Sequence, residues 1–200
     1  MAALLETTGY YAAAVVVASM PAALLYWYLI HPFAAFWRRL GKAPTFLVVG
    51  AVCLVLVAWL WTLRARFLAV HWGYRWALAL PGTALYLLAA YGERRIRRQL
   101  KFPILAGAPE LDAESPGRLL TDGVFGRSRN PRYVNIVVAL AGIAMILNYP
   151  AVYVVALGTI PGLFALVLLE ERELAERFGR EYLDYCDRVP RFLPRSGWIF

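Results

Sequence analysis

From residue 9 to residue 30 the chain carries no charged side chain, and that run restricts the fold to something a bilayer can hold. Wound as a helix at about 1.5 Å per residue, it reaches the roughly 30 Å of a hydrocarbon core. In water it would need cover on every side; in lipid it needs only to satisfy its own backbone, as a helix does. A second charge-free run occupies 44–63, with Pro44 at its start, where the missing N–H costs nothing. A third apolar run, 73–91, holds Pro81-Gly82 near its middle and is predicted to kink there. Two more, 133–147 and 151–169, are separated only by Asn148-Tyr149-Pro150, which is too little for anything except a tight helical hairpin. The first of these is short for a span and is expected to be tilted or sheltered by protein. The runs predict an all-α, polytopic membrane protein of about five transmembrane helices.

Composition agrees. The 200 residues are 61% hydrophobic with a mean hydropathy of +0.56, an apolar excess that must face lipid. The net charge of +8 does not point to nucleic acid, because the basic residues fall between and after the apolar runs, where they set topology and meet anionic headgroups. With five spans, 18 Lys and Arg lie on one side and 3 on the other. The positive-inside rule then puts the N-terminus outside and the C-terminus in the cytoplasm. The expected layout is a single membrane domain: three N-terminal spans within 1–91, a cytoplasmic loop over 92–131, the hairpin over 132–169 and a cytoplasmic tail over 170–200. The N-terminus lacks the positive start of a secretory signal, so the first run is expected to span and stay. Cys53 lies in an apolar run and Cys186 in the charged tail, which suggests neither a disulfide nor a thiolate metal site. His31 and His71 stand alone near helix ends, and no metal is expected. The low ratio of lysine to arginine hints at a GC-rich microbial source, and hence a microbial cell membrane.

A hairpin forces its two polar ends together. One end runs from Thr121 to Tyr133, with Asn130 suited to an N-cap and Pro131 to the first helical position. The other reads Leu169-Glu170-Glu171-Arg172-Glu173, and carboxylates at a helix C-terminus oppose its dipole and need a cation or a purpose. Taken singly, Arg129 and Arg132 can be explained as snorkelling to phosphates, and Glu170 and Glu171 as boundary residues. Taken together, they point to a ligand site at the cytoplasmic face. Beyond them Leu174, Phe178, Tyr182 and Tyr185 recur at helical spacing, with Glu173–Arg177 and Glu176–Arg180 as i,i+4 pairs. This predicts an amphipathic tail helix lying on the membrane or lidding the site, its aromatics engaged in packing, and ended by 189–194.

The pattern G-V-F-x3-R-N-P-x-Y, an apolar hairpin, E-E-x-x-L-x-x-x-F-G-x-E-Y-x-x-Y and then V-P-R-F-L-P resembles the isoprenylcysteine carboxyl methyltransferase and phospholipid methyltransferase group. These are integral-membrane enzymes that use S-adenosylmethionine. The similarity covers about residues 117–195; the first three spans match in hydropathy and number only. The resemblance implies a cofactor at the cytoplasmic end of the hairpin and a lateral opening for a lipophilic acceptor. Gly117, Arg118, Leu119, Leu120 and Phe125 would line the cofactor, Asn130, Pro131, Arg132 and Tyr133 occupy the family's His-Pro-x-Tyr run, and Glu170 aligns with its cofactor-binding glutamate. Glu170 would pair with the ammonium, helix N–H groups or an Arg with the carboxylate, and Phe125 or Tyr133 with the sulfonium. Arg129 and Glu171 are the candidates for a catalytic role.

Two departures narrow the acceptor. Asn130 replaces the family histidine and cannot act as a base. Leu166 stands where the carboxyl methyltransferases carry an arginine for the acceptor carboxylate, and no Lys, Arg or His occurs between Arg132 and Arg172. The expected substrate is therefore a lipid or small isoprenoid-like lipophile other than a prenylcysteine carboxylate. The alternatives are an NADPH-dependent membrane reductase related to sterol reductases, which share a similar Arg-His-Pro-x-Tyr segment, and a non-catalytic membrane partner protein with this fold.

Overall fold

The structure, a computed structural model, describes residues 2–100, 118–195, 197 and 199. Its described residues form eight α-helices and no strand: α1 (Ala2–Ile30), α2 (Ala34–Leu40), α3 (Lys42–Thr62), α4 (Arg64–Phe67), α5 (Trp76–Arg97), α6 (Pro131–Leu147), α7 (Pro150–Phe178) and α8 (Arg180–Arg188). Three of them have stretches long and apolar enough to cross a membrane, Leu4–Ile30, Lys42–Thr62 and Pro150–Phe178, and Pro131–Leu147 is a shorter apolar helix. Leu47, Leu54 and Val55 on α3 and Val154 and Leu157 on α7 are all strongly exposed. Bulky apolar groups turned outward in this number are a lipid-facing surface.

Within lipid there is little hydrophobic gain when apolar helices associate, so close contact depends on small side chains. On α1 the buried face is Ala13, Ala14, Val17, Ala18 and Ala22, and its upper part packs on Ala144, Leu147 and Val152 of α6 and α7. α5 and α6 form the most extensive helix pair, and Gly82 and Gly142 explain how. A Cβ on Gly82 would lie 2.8 Å from the carbonyl oxygen of Gly142, and a Cβ on Gly142 2.7 Å from that of Gly82. Pro81-Gly82 thus marks a backbone-to-backbone crossing, a role beyond the predicted kink.

The elements depart from the predicted bounds where the run of charge begins. α5 continues through Arg97, into the segment expected to be loop. α7 carries on past residue 169 as one helix to Phe178 and stops at Gly179, whose φ of +53° only glycine adopts easily. The predicted tail helix is therefore divided: Leu174 and Phe178 belong to α7, Tyr182 and Tyr185 to α8. The four still pack together, around Leu119 and Val189. The tail also carries the i,i+4 ion pairs Arg172 with Glu176 and Arg180 with Asp184.

Candidate functional site

The first turn of α6 and the charged end of α7 meet. Tyr133 donates its hydroxyl to Glu170 Oε1, and Asn130 donates its amide to Glu171 Oε1 at 2.9 Å. Asn130 does stand at the N-cap of α6 with Pro131 in the first turn, yet its side chain makes no capping bond; the carboxylate of Glu171 and the carbonyl of Arg191, at 3.2 Å, take its N–H groups instead. Adjacent residues on a helix point about 100° apart, so Glu170 and Glu171 enter different surroundings.

Glu171 is 9% exposed and ties the tail down. Arg191 bonds its Oε2 through Nε at 2.9 Å and sits equally close through a terminal nitrogen. Arg129 Nε lies 3.3 Å from Oε1. That distance suffices for charge attraction, but the N–H is not aimed at the oxygen, and this buried Nε has no hydrogen-bond partner. The backbone N–H groups of Arg129 and Asn130 bond the carbonyls of Pro190 and Arg191, at 3.0 and 3.1 Å, and Tyr185 donates to the carbonyl of Phe125 at 2.6 Å. Burial, then the charge of Glu171, holds the Tyr182 phenol well above the ordinary tyrosine range; burial does the same to Tyr185 against the pull of Arg129.

Glu170 faces α1. His31, just past the end of that helix, was expected to stand alone. Instead its Nε2 lies 3.1 Å from Glu170 Oε1 and its Nδ1 2.9 Å from Glu173 Oε2. Burial pulls the His31 pKa down, and the hydrogen bonds and charges of Glu170 and Glu173 more than reverse this, raising it to about 9. The ring stacks on Trp27 at 5.3 Å between centroids, and the Arg132 guanidinium lies 5.4 Å from the Trp27 ring centre. Sequence reasoning missed His31, Trp27, Glu173 and Arg191. The available signal was the Tyr26-Trp27-Tyr28 cluster ending in a buried-side histidine, but nothing in it names a partner more than a hundred residues away.

Leu166 is fully buried among Tyr133, Leu163, Val167, Leu24, Trp27, Ile136, Val137 and Phe192. Of the other residues singled out by resemblance, Leu119 is buried against Tyr182 and Tyr185, Leu120 and Phe125 are half-buried, and Pro131 is buried. Arg118 is exposed and 3.5 Å from Asp122, which sets it apart from the cluster. Gly117 lies outside the described residues. A cavity of about 450 Å³, lined by Trp72, Arg75, Leu78, Asn148 and Tyr153, opens beside the turn joining α6 to α7, one helix length from Glu170; it takes no part in this cluster.

Three features of the cluster suit a zwitterionic sulfonium ligand. Both hydrogen bonds to Glu170 fall on Oε1, so Oε2 takes none from the described residues. Arg132 has no carboxylate partner among them. The buried Arg129 Nε is unbonded. An acceptor for an ammonium, donors for a carboxylate, and the aromatic faces of Trp27 and Tyr133 are thus within one cluster.

Among known proteins, the family described as phospholipid methyltransferase matches residues 76–181. The match begins at α5, well before the residues that carry the motifs, and ends in the first turn of α8. No curated protein and no solved structure matches the chain.

Proposed function

Because the chain belongs to the phospholipid methyltransferase family, whose members are membrane methyltransferases, we propose that it transfers a methyl group from S-adenosylmethionine to a lipophilic acceptor. The observation that carries this reading is the Glu170–Tyr133 contact, with Oε2 of Glu170 open and Arg132 uncompensated beside it. When bound, S-adenosylmethionine supplies a methyl group already activated by its sulfonium centre. The protein then has to bind, align and exclude water. Glu170 Oε2 receives the ammonium and Arg132 the carboxylate, while Asn130, Pro131, Leu119, Leu120 and Phe125 shape the wall. Arg129 and Glu171, the catalytic candidates, serve in this reading to position the start of α6 against the tail.

The acceptor enters from the bilayer and is a lipid or small isoprenoid-like molecule. Leu166 argues against a carboxylate acceptor: that position is packed core, and a guanidinium there would have to be buried among apolar side chains. The family match does not favour the reductase or the non-catalytic reading. In this proposal α5 and α6 also cross the membrane, giving five spans with α6 and α7 as a hairpin, an outside N-terminus and a cytoplasmic site.

Glu170→Ala removes a charge-assisted bond worth about 1.5–3 kcal/mol, so calorimetric titration should show S-adenosylmethionine binding weakened about ten- to a hundredfold. Unchanged affinity contradicts the assignment. Mass spectrometry of lipid extract incubated with the protein and methyl-labelled cofactor should reveal one labelled lipid; no labelled lipid counts against the activity.

A further inference from the structure

His31 follows the last residue of α1, outside the residues that the family match covers, yet it sits on the carboxylate assigned to the ligand's ammonium. Its two ring nitrogens face one carboxylate each, Glu173 at 2.9 Å and Glu170 at 3.1 Å. A neutral imidazole has a single N–H and can donate to only one of them; donating to both requires the protonated ring. The side chain is 3% exposed, while those of Glu170 and Glu173 are 21% and 27% exposed. The imidazolium is therefore shut in, and the carboxylates it bridges are reachable from outside.

We propose that His31 acts as an internal cation held on Glu170 Oε1 until the ligand arrives, and that binding of an α-ammonium group at Oε2 of the same carboxylate expels the proton from His31 Nε2. This rests on the function proposed above. The reasoning is charge balance within one cluster. α7 contributes Glu170 and Glu173, α6 contributes Arg132 and the Tyr133 hydroxyl, α1 contributes Trp27, and α2, which begins three residues after His31, carries Arg38 and Arg39. Two carboxylates stabilise one buried cation. An incoming ammonium engages Glu170 through Oε2 and adds its own charge beside the ring, so one carboxylate then serves two cations; the ring keeps its Nδ1–H on Glu173 and gives up the Nε2 proton. The proton leaves to water past the exposed edges of the two glutamates. What remains beside Glu170 Oε1 is a neutral imidazole with an unprotonated Nε2, a proton acceptor that neither Asn130 nor the buried Glu171 supplies.

The sign of the linkage follows. The free site holds the proton up to about pH 9, so ligand affinity is lowest where His31 is charged. It rises with pH by up to about tenfold per unit until that point.

The test uses the full chain in lipid nanodiscs and S-adenosylhomocysteine, which carries the ammonium and cannot turn over. Calorimetric titration in two buffers of different ionisation enthalpy near pH ~7.5 counts protons released. Wild type should release about one proton more than His31→Gln; titration of the ligand's own amine is common to both and cancels. Equal release in the two overturns the proposal. Should His31→Gln fail to fold, histidine-labelled NMR of the wild type answers the same question, since the chain has only two histidines. The His31 resonance should titrate near 9 without ligand and well below that value at saturation; a titration that does not move overturns the proposal. If the wild type binds no S-adenosyl ligand at all, the proposed function fails and takes this proposal with it, whereas binding without proton release defeats this proposal alone.

Discussion

Glu170 and Glu171 are neighbours in the chain, and their environments could hardly differ more. Glu171 is enclosed by Asn130, Arg129 and Arg191, so its charge is matched by two guanidiniums drawn from the loop and the tail. Glu170 retains an open oxygen at a partly exposed edge. Glu171→Gln keeps the shape and the contact with Asn130 but leaves both arginines without their anion. Since Arg191 is 38% exposed and partly screened by solvent, the loss should be at the lower end for breaking such a pair, about 1–3 kcal/mol. The expected reading is a lower thermal midpoint together with faster proteolysis after residue 189. An unaltered midpoint would show that the tail is held by packing around Leu119 and Tyr185 alone. From the residue types, either glutamate was eligible for the ligand; the choice between them depends on which helix face meets α1 and which meets the tail.

Among the elements, the α5–α6 pair makes the sharpest demand. Gly142 lets the two backbones touch, and a Cβ there would lie 2.7 Å from the Gly82 carbonyl oxygen and 2.8 Å from the amide nitrogen of Tyr86. These are backbone atoms, which cannot rotate aside as a flexible side chain can. Gly142→Val should therefore cost about 1–3 kcal/mol, typical of overpacking, seen as a fall in thermal midpoint in detergent. Gly50, on α3 with open space around its Cβ position, is the control: Gly50→Ala should leave the midpoint unchanged or slightly raised, because alanine is the better helix former. Equal loss at both positions would mean that the crossing is not close. The glycines were readable in the sequence, but their meeting was not, since an apolar helix can rotate about its axis in lipid with little change in hydropathy.

At the scale of the whole molecule, the proposed orientation puts the tail on the cytoplasmic side. The two cysteines report on it, both being unpaired thiols. Cys186 lies in α8 at the end of the chain, and Cys53 within the apolar helix α3. A membrane-impermeant maleimide should label Cys186 in inverted vesicles and spare it in intact cells, while Cys53 stays unlabelled in both. Labelling of Cys186 from outside reverses the proposed topology.

The sequence alone determined the all-helical membrane class, because charge-free runs of bilayer length leave the backbone no other way to satisfy itself. Its hairpin also implied that the two polar ends, which carry Tyr133 and Glu170, lie side by side. Only the tertiary structure decided that the end of α1 meets this cluster, bringing His31 to Glu170 across 139 residues of sequence, and that α7 runs unbroken past the charged residues to Gly179. The physical reason is that apolar surfaces in lipid are nearly interchangeable: hydropathy states that a helix is embedded, and only packing between small residues and a few buried hydrogen bonds states which neighbour it meets.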